Sequence, residues 1–559
     1  MYIRCKKFPN SSRRVLAICH SVRTGSKVSQ KTIKYIGSAH NDEQYAILLE
    51  VAQNELKALQ NPLSNQKQTT SAHDACNGVR LVDVKEEHRI IEGFHDICGA
   101  ILDRLGINDC LTNYRYQQLQ DVVLARIACP TSKLKTAQIL NVNFSKPTTE
   151  NRIYRLMDDL ITHEEAIKVK IFEFSKSLCP NQIIDLLLFD VTTLYFESQK
   201  ADEIRDFGYG KDGKIGEVQV VLALATTSTG LPIGYHLFSG KTAEVNTLLE
   251  CLKVWRKVFA IEQIVVVADR AMMSDANLLA MEEAKIDYIV AAKLKSLPKK
   301  LQQQILDRKQ EVNVNIKDEL QLVQEQEYKS RRLVIGFSDS RAKKDKTDRE
   351  RLLAKLKNKL GKGNAIDTKK LVTNRGYLKF ADEKQKGRII LNEERIAKDA
   401  LWDGLHGVIT SNRQATQEEI LTRYKRLWII EESFRINKHT LAMRPIYHFS
   451  PKRIKSHLLI CYIAFAVSRY LQHYVVAFDE SFSIEKIREA LFSVQASILR
   501  HEKTDIIYRL PSEMNKEAKI IYKAFGVNRL RTPSRLVPEK KCSALKKMQV
   551  FDALADAKV

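Results

Sequence analysis

The chain has no two cysteines in C-x-x-C spacing: its ten cysteines are scattered over 559 residues, the shortest interval running from Cys98 to Cys110. A structural zinc site needs closely spaced thiolates, so that class lacks its signature, and the scatter suggests free thiols in a reducing compartment. No stretch reaches the roughly 18 uninterrupted apolar residues that span a bilayer. The run Leu458 to Val467 is too short for that and predicts a buried helix. Met1 to Lys7 is not followed by an apolar run of signal-peptide type. The histidines His95, His406, His439, His448 and His457 have neither H-E-x-x-H nor zinc-finger spacing. Ser239-Gly240-Lys241-Thr242 resembles the end of a phosphate loop, but position 235 is Tyr, which argues against ATP binding. Gly208-Tyr209-Gly210, with Gly213 and Gly216, lacks the dinucleotide fingerprint.

What the chain does have is positive charge. It carries 91 Lys and Arg against 67 Asp and Glu, for a formal net charge of +24. Such a surface attracts polyanions, and the common cellular polyanion is nucleic acid. Hydrophobic residues at 44% and charged residues at 28% are ordinary for a folded protein. The length calls for several domains. The expected setting is cytoplasmic, on DNA, with no membrane partner.

Along the chain, Val15 to Ile18 and Thr32 to Ile36 alternate as strands around a Gly25 turn, studded with Arg13, Arg14, Arg23, Lys27, Lys31 and Lys34. A helix is expected over 42–59 and a polar linker over 61–72. Helical spacing recurs in 94–105, 114–128 and 150–174, punctuated by Pro130, Pro147 and Pro180. Arg152, Arg155 and Lys168 there face either DNA or solvent. Continuous apolar runs at 183–189, 219–226 and 264–268 suggest central strands of a covered sheet, with helices over 244–258 and 274–285 making an α/β pattern. Residues 300–400 are very polar, with strand candidates at 325–337 and 371–380 around a charged helix at 347–360. The α/β pattern resumes at Leu405 to Thr410. Thr416 and Glu419 stand in capping-box spacing at the start of a long helix over 418–438. A further helix is expected over 454–474. From Ser483 a helical, then loose and basic tail follows, including Arg529, Arg531, Arg535, Lys540, Lys541, Lys546 and Lys547.

Asp190 and Asp269 each follow a buried-type strand, in Leu188-Phe189-Asp190-Val191 and Val267-Ala268-Asp269-Arg270. Open α/β sheets place active sites along the rim where strands end. Two carboxylates on neighbouring strands repel, and a divalent cation relieves that repulsion. On a continuous helix Tyr424, Trp428, Glu431, Arg435 and Lys438 share one stripe, and Glu432 points elsewhere. Asp190, Asp269 and Glu431 are therefore the candidate catalytic and metal ligands, for two Mg²⁺ or Mn²⁺ ions about 4 Å apart. Tyr424, Arg426, Arg435 and Lys438 are the candidate phosphate contacts, with His439 and Arg444 behind them. Each Asp taken singly also reads as a turn or cap residue, and the Glu431 stripe as a salt-bridged helix face.

At these residues the chain resembles the DDE insertion-sequence transposases with a β-rich insertion in the catalytic domain. Leu188-Phe189-Asp190-Val191-Thr192-Thr193 is similar to the family's first Asp motif, and Val266-Val267-Ala268-Asp269-Arg270 to its second. Tyr424, Glu431 and Lys438 are similar to its tyrosine, arginine, glutamate, lysine signature, with Leu427 where that signature has arginine. Arg426 and Arg435 are the candidates to supply the missing charge. Gly230 to Gly234, Gly240 to Glu244 and Asp403 to Gly407 also resemble the family core. The family's insertion carries a Trp, and none lies between 300 and 400 here.

The resemblance implies an α/β fold with an RNase H-like core interrupted by a β-rich insertion, an N-terminal β-hairpin, a helical DNA-binding region and a helical C-terminal region. The implied division is 1–92, the helical region 93–180, the core 181–299, the insertion 300–400, the core again 401–470, and the basic C-terminal region 471–559. The implied activity is Mg²⁺-dependent nicking at transposon ends and strand transfer by the freed 3′-hydroxyl. The implied partners are double-stranded DNA, as terminal inverted repeats and target, and a second copy of the chain. A nuclease of the same core that does not join strands, and a non-catalytic DNA-binding derivative, are the alternatives.

Overall fold

A computed structural model describes residues 1–8, 13–24, 27–60, 79–196, 201–209, 215–259, 265–269, 274–308, 314–316, 320–360, 380–384 and 388–536. The chain divides into two compact units, one of residues 1–171, 436–443 and 447–559, the other of residues 172–435 and 444–446.

The first unit opens with an antiparallel meander of β1 (Tyr2–Lys7), β2 (Arg14–Thr24) and β3 (Lys27–Ala39). Leu16 and Ile18 of β2 and Ile36 of β3 face inward, where Leu48, Val51 and Ala52 of α1 (Asp42–Gln60) cover them. Arg13, Arg23 and Lys31 stay exposed on this piece. The expected Gly25 turn and 61–72 linker lie outside the described residues. β4 (Val84–Ile91) precedes four longer helices: α2 (Asn113–Ala128), α3 (Lys133–Asn143), α4 (Glu150–Leu160) and α5 (Glu164–Ser177). Thr112, Ser132 and Thr149 start the first three by accepting the backbone N–H of Arg115, Lys135 and Arg152. The single block expected over 150–174 is two helices, separated by a short 3₁₀ turn at Ile161–His163.

The second unit holds a ten-stranded sheet. Its strands are β5 (Leu186–Tyr195), β6 (Asp206–Tyr209), β7 (Ile215–Thr227), β8 (Pro232–Ser239), β9 (Val265–Ala268), β10 (Asp287–Ala291), β11 (Val314–Ile316), β12 (Leu320–Tyr328), β13 (Arg331–Ser338) and, after a separate two-stranded ribbon of β14 (Ala381–Lys384) and β15 (Arg388–Leu391), β16 (Leu405–Thr410). The spatial order is β11-β12-β13-β16-β10-β9-β5-β7-β6, with β8 also on β7. β5, β9 and β10 run parallel, and β7 is antiparallel to β5. β5, β9, β10 and β16 are buried almost throughout, as runs apolar on both faces require. Helices α6 (Glu244–Phe259) and α7 (Asp275–Glu283) flank β9 in sequence, and Trp255 of α6 meets Phe189 of β5 edge to face at 6.0 Å.

The stretch 300–400 departs from a self-contained β-rich insertion. β11 to β13 extend the main sheet through β16, and α8 (Lys299–Arg308), α9 (Asp339–Leu360) and α10 (Glu393–Ala400) occupy more of the described stretch than strands do. β13 is apolar at Leu333, Val334 and Ile335, all fully buried, so its faces are covered most fully inside the larger sheet. The strand candidate over 371–380 falls almost wholly outside the described residues.

The long helix expected over 418–438 is also divided. α11 (Gln417–Lys425) ends at Arg426, α12 (Trp428–Arg435) follows, and a π-helical turn covers Ile436–Thr440. The capping box at its start forms as expected: Thr416 Oγ1 accepts Glu419 N at 3.2 Å, and Glu419 Oε2 accepts Thr416 N at 2.9 Å. Back in the first unit, α13 (Pro451–Val476) buries every residue from Leu458 to Val467, the core helix that the short apolar run predicted. After α14 (Ile484–Phe492), the expected helical tail is partly strand. β17 (Gln495–His501), β18 (Ile507–Pro511) and, beyond α15 (Lys516–Phe525), β19 (Ser534–Arg535) form a sheet with β4 in the order β19-β18-β17-β4. Lys540, Lys541, Lys546 and Lys547 lie outside the described residues.

Candidate active site

Asp190 does not end its strand. β5 continues through Val191 to Tyr195, because β-branched and aromatic residues follow and pair with β7 as far as Tyr195 opposite Gln219. What ends at Asp190 is the pairing on the other side. β5 and β9 run parallel from Leu186 opposite Val265 to Phe189 opposite Ala268, and β9 stops there. Asp190 and Asp269 are therefore the next residues in register on two adjacent parallel strands, whose backbones lie about 4.8 Å apart. Asp190 is half-buried and its Oδ1 accepts Val191 N at 2.7 Å, whereas Asp269 is exposed. At the far end of β5 the guanidinium of Arg444 lies 5.2 Å from the ring centre of Tyr195.

Glu431 sits in the first turn of α12, which packs against β5 and β7. Ile430, Ser433 and Phe434 form the buried face of α12, and Glu431 and Arg435 lie on its exposed side, beside a Trp428 that is 56% exposed. Glu432 is half-buried and meets Arg435 at 3.5 Å. The stripe imagined on one helix is broken at Leu427, which is buried, and whose carbonyl accepts Ile430 N at 3.1 Å. An apolar residue suits that buried step between two helices, which gives Leu427 a packing role in place of the expected arginine. Tyr424 is half-buried on α11, Arg426 is exposed, and Lys438 falls in the first unit. Among the described residues, no three Asp, Glu, His or Cys side chains are gathered closely enough to hold a metal ion.

Asp269 and Tyr424 meet instead on the wall of a cavity of about 560 Å³, which neither Asp190 nor Glu431 lines. Its other walls carry Lys293, Lys295, Arg341 and Arg349, four cations that sequence reasoning did not single out, together with Phe380 and Trp402. Trp402 stands two positions beyond 300–400, the stretch that holds no tryptophan. The available signal was position alone: Lys293 follows β10, and Trp402 precedes β16. Acids partly offset these cations. Arg349 holds Asp403 in two bonds of 2.5 and 2.6 Å, and Lys295 pairs with Asp399. Gly404 takes φ +80°, where a Cβ would come within 2.5 Å of Phe337, and its N–H donates to Asp345 at 3.1 Å. Next to it, burial first and Arg341 second push His406 down to about 4, so its imidazole is neutral at pH 7. Asp403-Gly404-Leu405-His406 thus fastens α9 beside the cavity.

The other motif glycine is equally constrained. A Cβ on Gly240 would come within 2.1 Å of the Gln219 carbonyl, so Gly240-Lys241-Thr242 crosses the β6–β7 backbone at close range. This is a packing demand on the backbone at Gly240.

Among solved structures the chain is similar to a piggyBac transposase synaptic complex with hairpin DNA, at 10% identity over 72% of this chain and 77% of that one, with a TM-score of 0.35. It is also similar to a Mos1 transposase paired-end complex with the left transposon end, at 11% identity over 28% of this chain and 53% of that one, with a TM-score of 0.14. No protein with a curated description matches it. The model of the transposase DDE domain matches residues 181–467, just over half of the chain and the stretch that carries Asp190, Asp269 and Glu431, and the chain belongs to that family of DNA transposases.

Proposed function

We propose that this transposase hydrolyses the phosphodiester at transposon ends and transfers the freed 3′-hydroxyl to target DNA, using Asp190, Asp269 and Glu431. The observation that carries the reading is the register of Asp190 and Asp269 at the point where β9 leaves β5, with the helix of Glu431 packed on that same strand. The central β5, its antiparallel neighbour β7 and the parallel β9 and β10 support an RNase H-like reading of the core. Asp190 and Asp269 are hard oxygen donors side by side, which suits Mg²⁺ or Mn²⁺. They would hold the ion, and Glu431 would join them on DNA. When bound, such an ion lowers the pKa of an attacking water or 3′-hydroxyl and stabilises the leaving oxygen. Arg426 and Arg435, both exposed, would hold the backbone phosphates on the Glu431 side, and Tyr424 and, in the first unit, Lys438 are separate candidate contacts with DNA. Lys293 and Arg341 would hold them on the Asp269 side. Two copies of the chain would synapse two ends.

The test uses labelled end duplex with Mg²⁺. Asp190→Asn, Asp269→Asn and Glu431→Gln are each expected to lower cleavage by about 10³-fold with duplex binding nearly unchanged. Normal cleavage by any one of them removes that residue from the site. Cleavage by the wild type with no joined product would make the protein a nuclease, and binding with no cleavage would make it a non-catalytic derivative.

A further inference from the structure

The first unit buries a group of cations with no acid among them. Arg126 on α2 and Lys133 at the start of α3 are each only 4% exposed. Arg126 makes no hydrogen bond or ion pair with any described residue. Lys133 Nζ lies 3.4 Å from Nδ1 of His457 on α13. The Nε2 of His457 lies 3.1 Å from the Met443 carbonyl, so Nε2 carries the proton and Nδ1 accepts from Lys133. His448 meets His457 ring to ring at 5.4 Å. The acids on the surrounding helices are already engaged. Asp158 holds Arg453 in two bonds of 3.0 Å, Asp159 pairs with Arg115 at 3.0 Å, Asp121 meets His95 at 3.1 Å, and Glu150 accepts the Tyr154 hydroxyl at 2.6 Å.

A guanidinium so nearly enclosed, with no protein acceptor on its donors and only a sliver of solvent access, is costly unless water or something negative meets it. The neighbours register the excess. Burial and then Arg126 push Lys133 down to about 7, and burial, Lys133, Arg453 and Arg126 push His448 down to about 4. An anion in the group would reverse both pressures. A planar guanidinium fork beside an ammonium and an imidazole matches a tetrahedral oxyanion. We propose that Arg126 and Lys133, with His448 beside them, form a binding site for an oxyanion of the phosphate class. The anion is either free phosphate or a phosphate of bound DNA.

The full-length protein is melted at pH 7 in chloride and in inorganic phosphate at matched ionic strength. The site predicts a saturable rise in Tm of roughly 5 °C at hundredfold excess over Kd. Arg126→Leu and Lys133→Met are each expected to abolish that rise, and the second variant serves if the first does not fold. Saturating phosphate is then added to wild-type protein with labelled duplex. Binding weakened beyond the matched chloride control assigns the ligand to a DNA phosphate, and unchanged binding assigns it to the free anion. Equal melting of the wild type in both salts, or a phosphate-dependent rise retained by a folded variant, overturns the proposal.

Discussion

Arg126 in the first unit and the Arg331–Arg332 pair in the second are both buried, and the two places solve the problem in opposite ways. In the second unit, Arg332 is 9% exposed, yet its guanidinium meets Glu325 at 2.6 and 3.0 Å and the carbonyls of Asn412 and Ala415 at 2.8 and 2.7 Å. Its neighbour Arg331 is shared between Glu282, at 2.6 and 3.1 Å, and Asp275 at 3.3 Å. In the first unit, Arg126 is buried more deeply and meets no described carboxylate or carbonyl. A buried charge inside a closed hydrogen-bond set fixes the local structure. One outside such a set leaves binding capacity unused. The second unit spends its buried charge on holding β12, β13 and the turn before α11 together, and the first holds its charge ready for a ligand.

The contrast is most strongly tested by opening the closed set. Arg332→Leu strands Glu325 and two carbonyls, and is expected to cost about 3–5 kcal/mol in chemical denaturation. A loss below about 1 kcal/mol would mean that the pair is no more than a surface contact. Glu282→Gln leaves Arg331 with Asp275 and a neutral partner, so a loss of about 1–2 kcal/mol is expected by the same measurement. An unchanged midpoint would show that Asp275 suffices alone.

The pH dependence separates the two places without mutation. His448 and His457 have folded values below the unfolded 6.5, so only the unfolded chain takes up their protons as pH falls through 6.5. Their contribution is therefore lost from about pH 6.5 downward, and the loss from His448 is complete near pH 4. Lys133, at about 7 when folded, adds a decline of its own at higher pH, as pH falls from its unfolded 10.5 to 7. Glu282 and Glu325 are held below their ordinary 4.5 by Arg331 and Arg332, so their contribution holds until pH falls below that value. Amide exchange is expected to rise first in α2, α3 and α13 as pH falls from 6.5, with β12 and β13 following only in more acid solution. Simultaneous loss would erase the distinction. His406 in the second unit lies at about 4 as well and adds a term of the same size as that of His448, placed in β16 and not in β12 or β13.

Much of the architecture was legible along the chain. The apolar runs at 219–226 and 405–410 and the later parts of those at 183–189, from Leu186, and 264–268, from Val265, are strands of one sheet, and the capping box at Thr416 and Glu419 forms. Those features depend on a few neighbouring residues and on burial that a run of Val, Ile and Leu announces by itself. The expected carboxylate pair is likewise placed by two strands whose composition marks them as central. The break at Leu427 was not legible, because a stripe at helical spacing looks the same on one helix as on two joined by a buried step. Nor was the joining of β11 to β13 to the main sheet, or of β4 to β17, since strand partners distant in sequence are chosen by matching faces and edges.

The sequence by itself determined which segments are helix and strand in the core, the basic character of the chain, and the identity of the three carboxylates that merit testing. These follow from local periodicity and residue chemistry, which survive without knowledge of partners. Only the tertiary structure decided that Asp190 and Asp269 share a register, that Glu431 rides a separate short helix, and that Arg126 and Lys133 are buried without an acid. Each of these depends on which distant surfaces close over one another, and a side chain's charge has physical meaning only once its neighbours and its access to water are set.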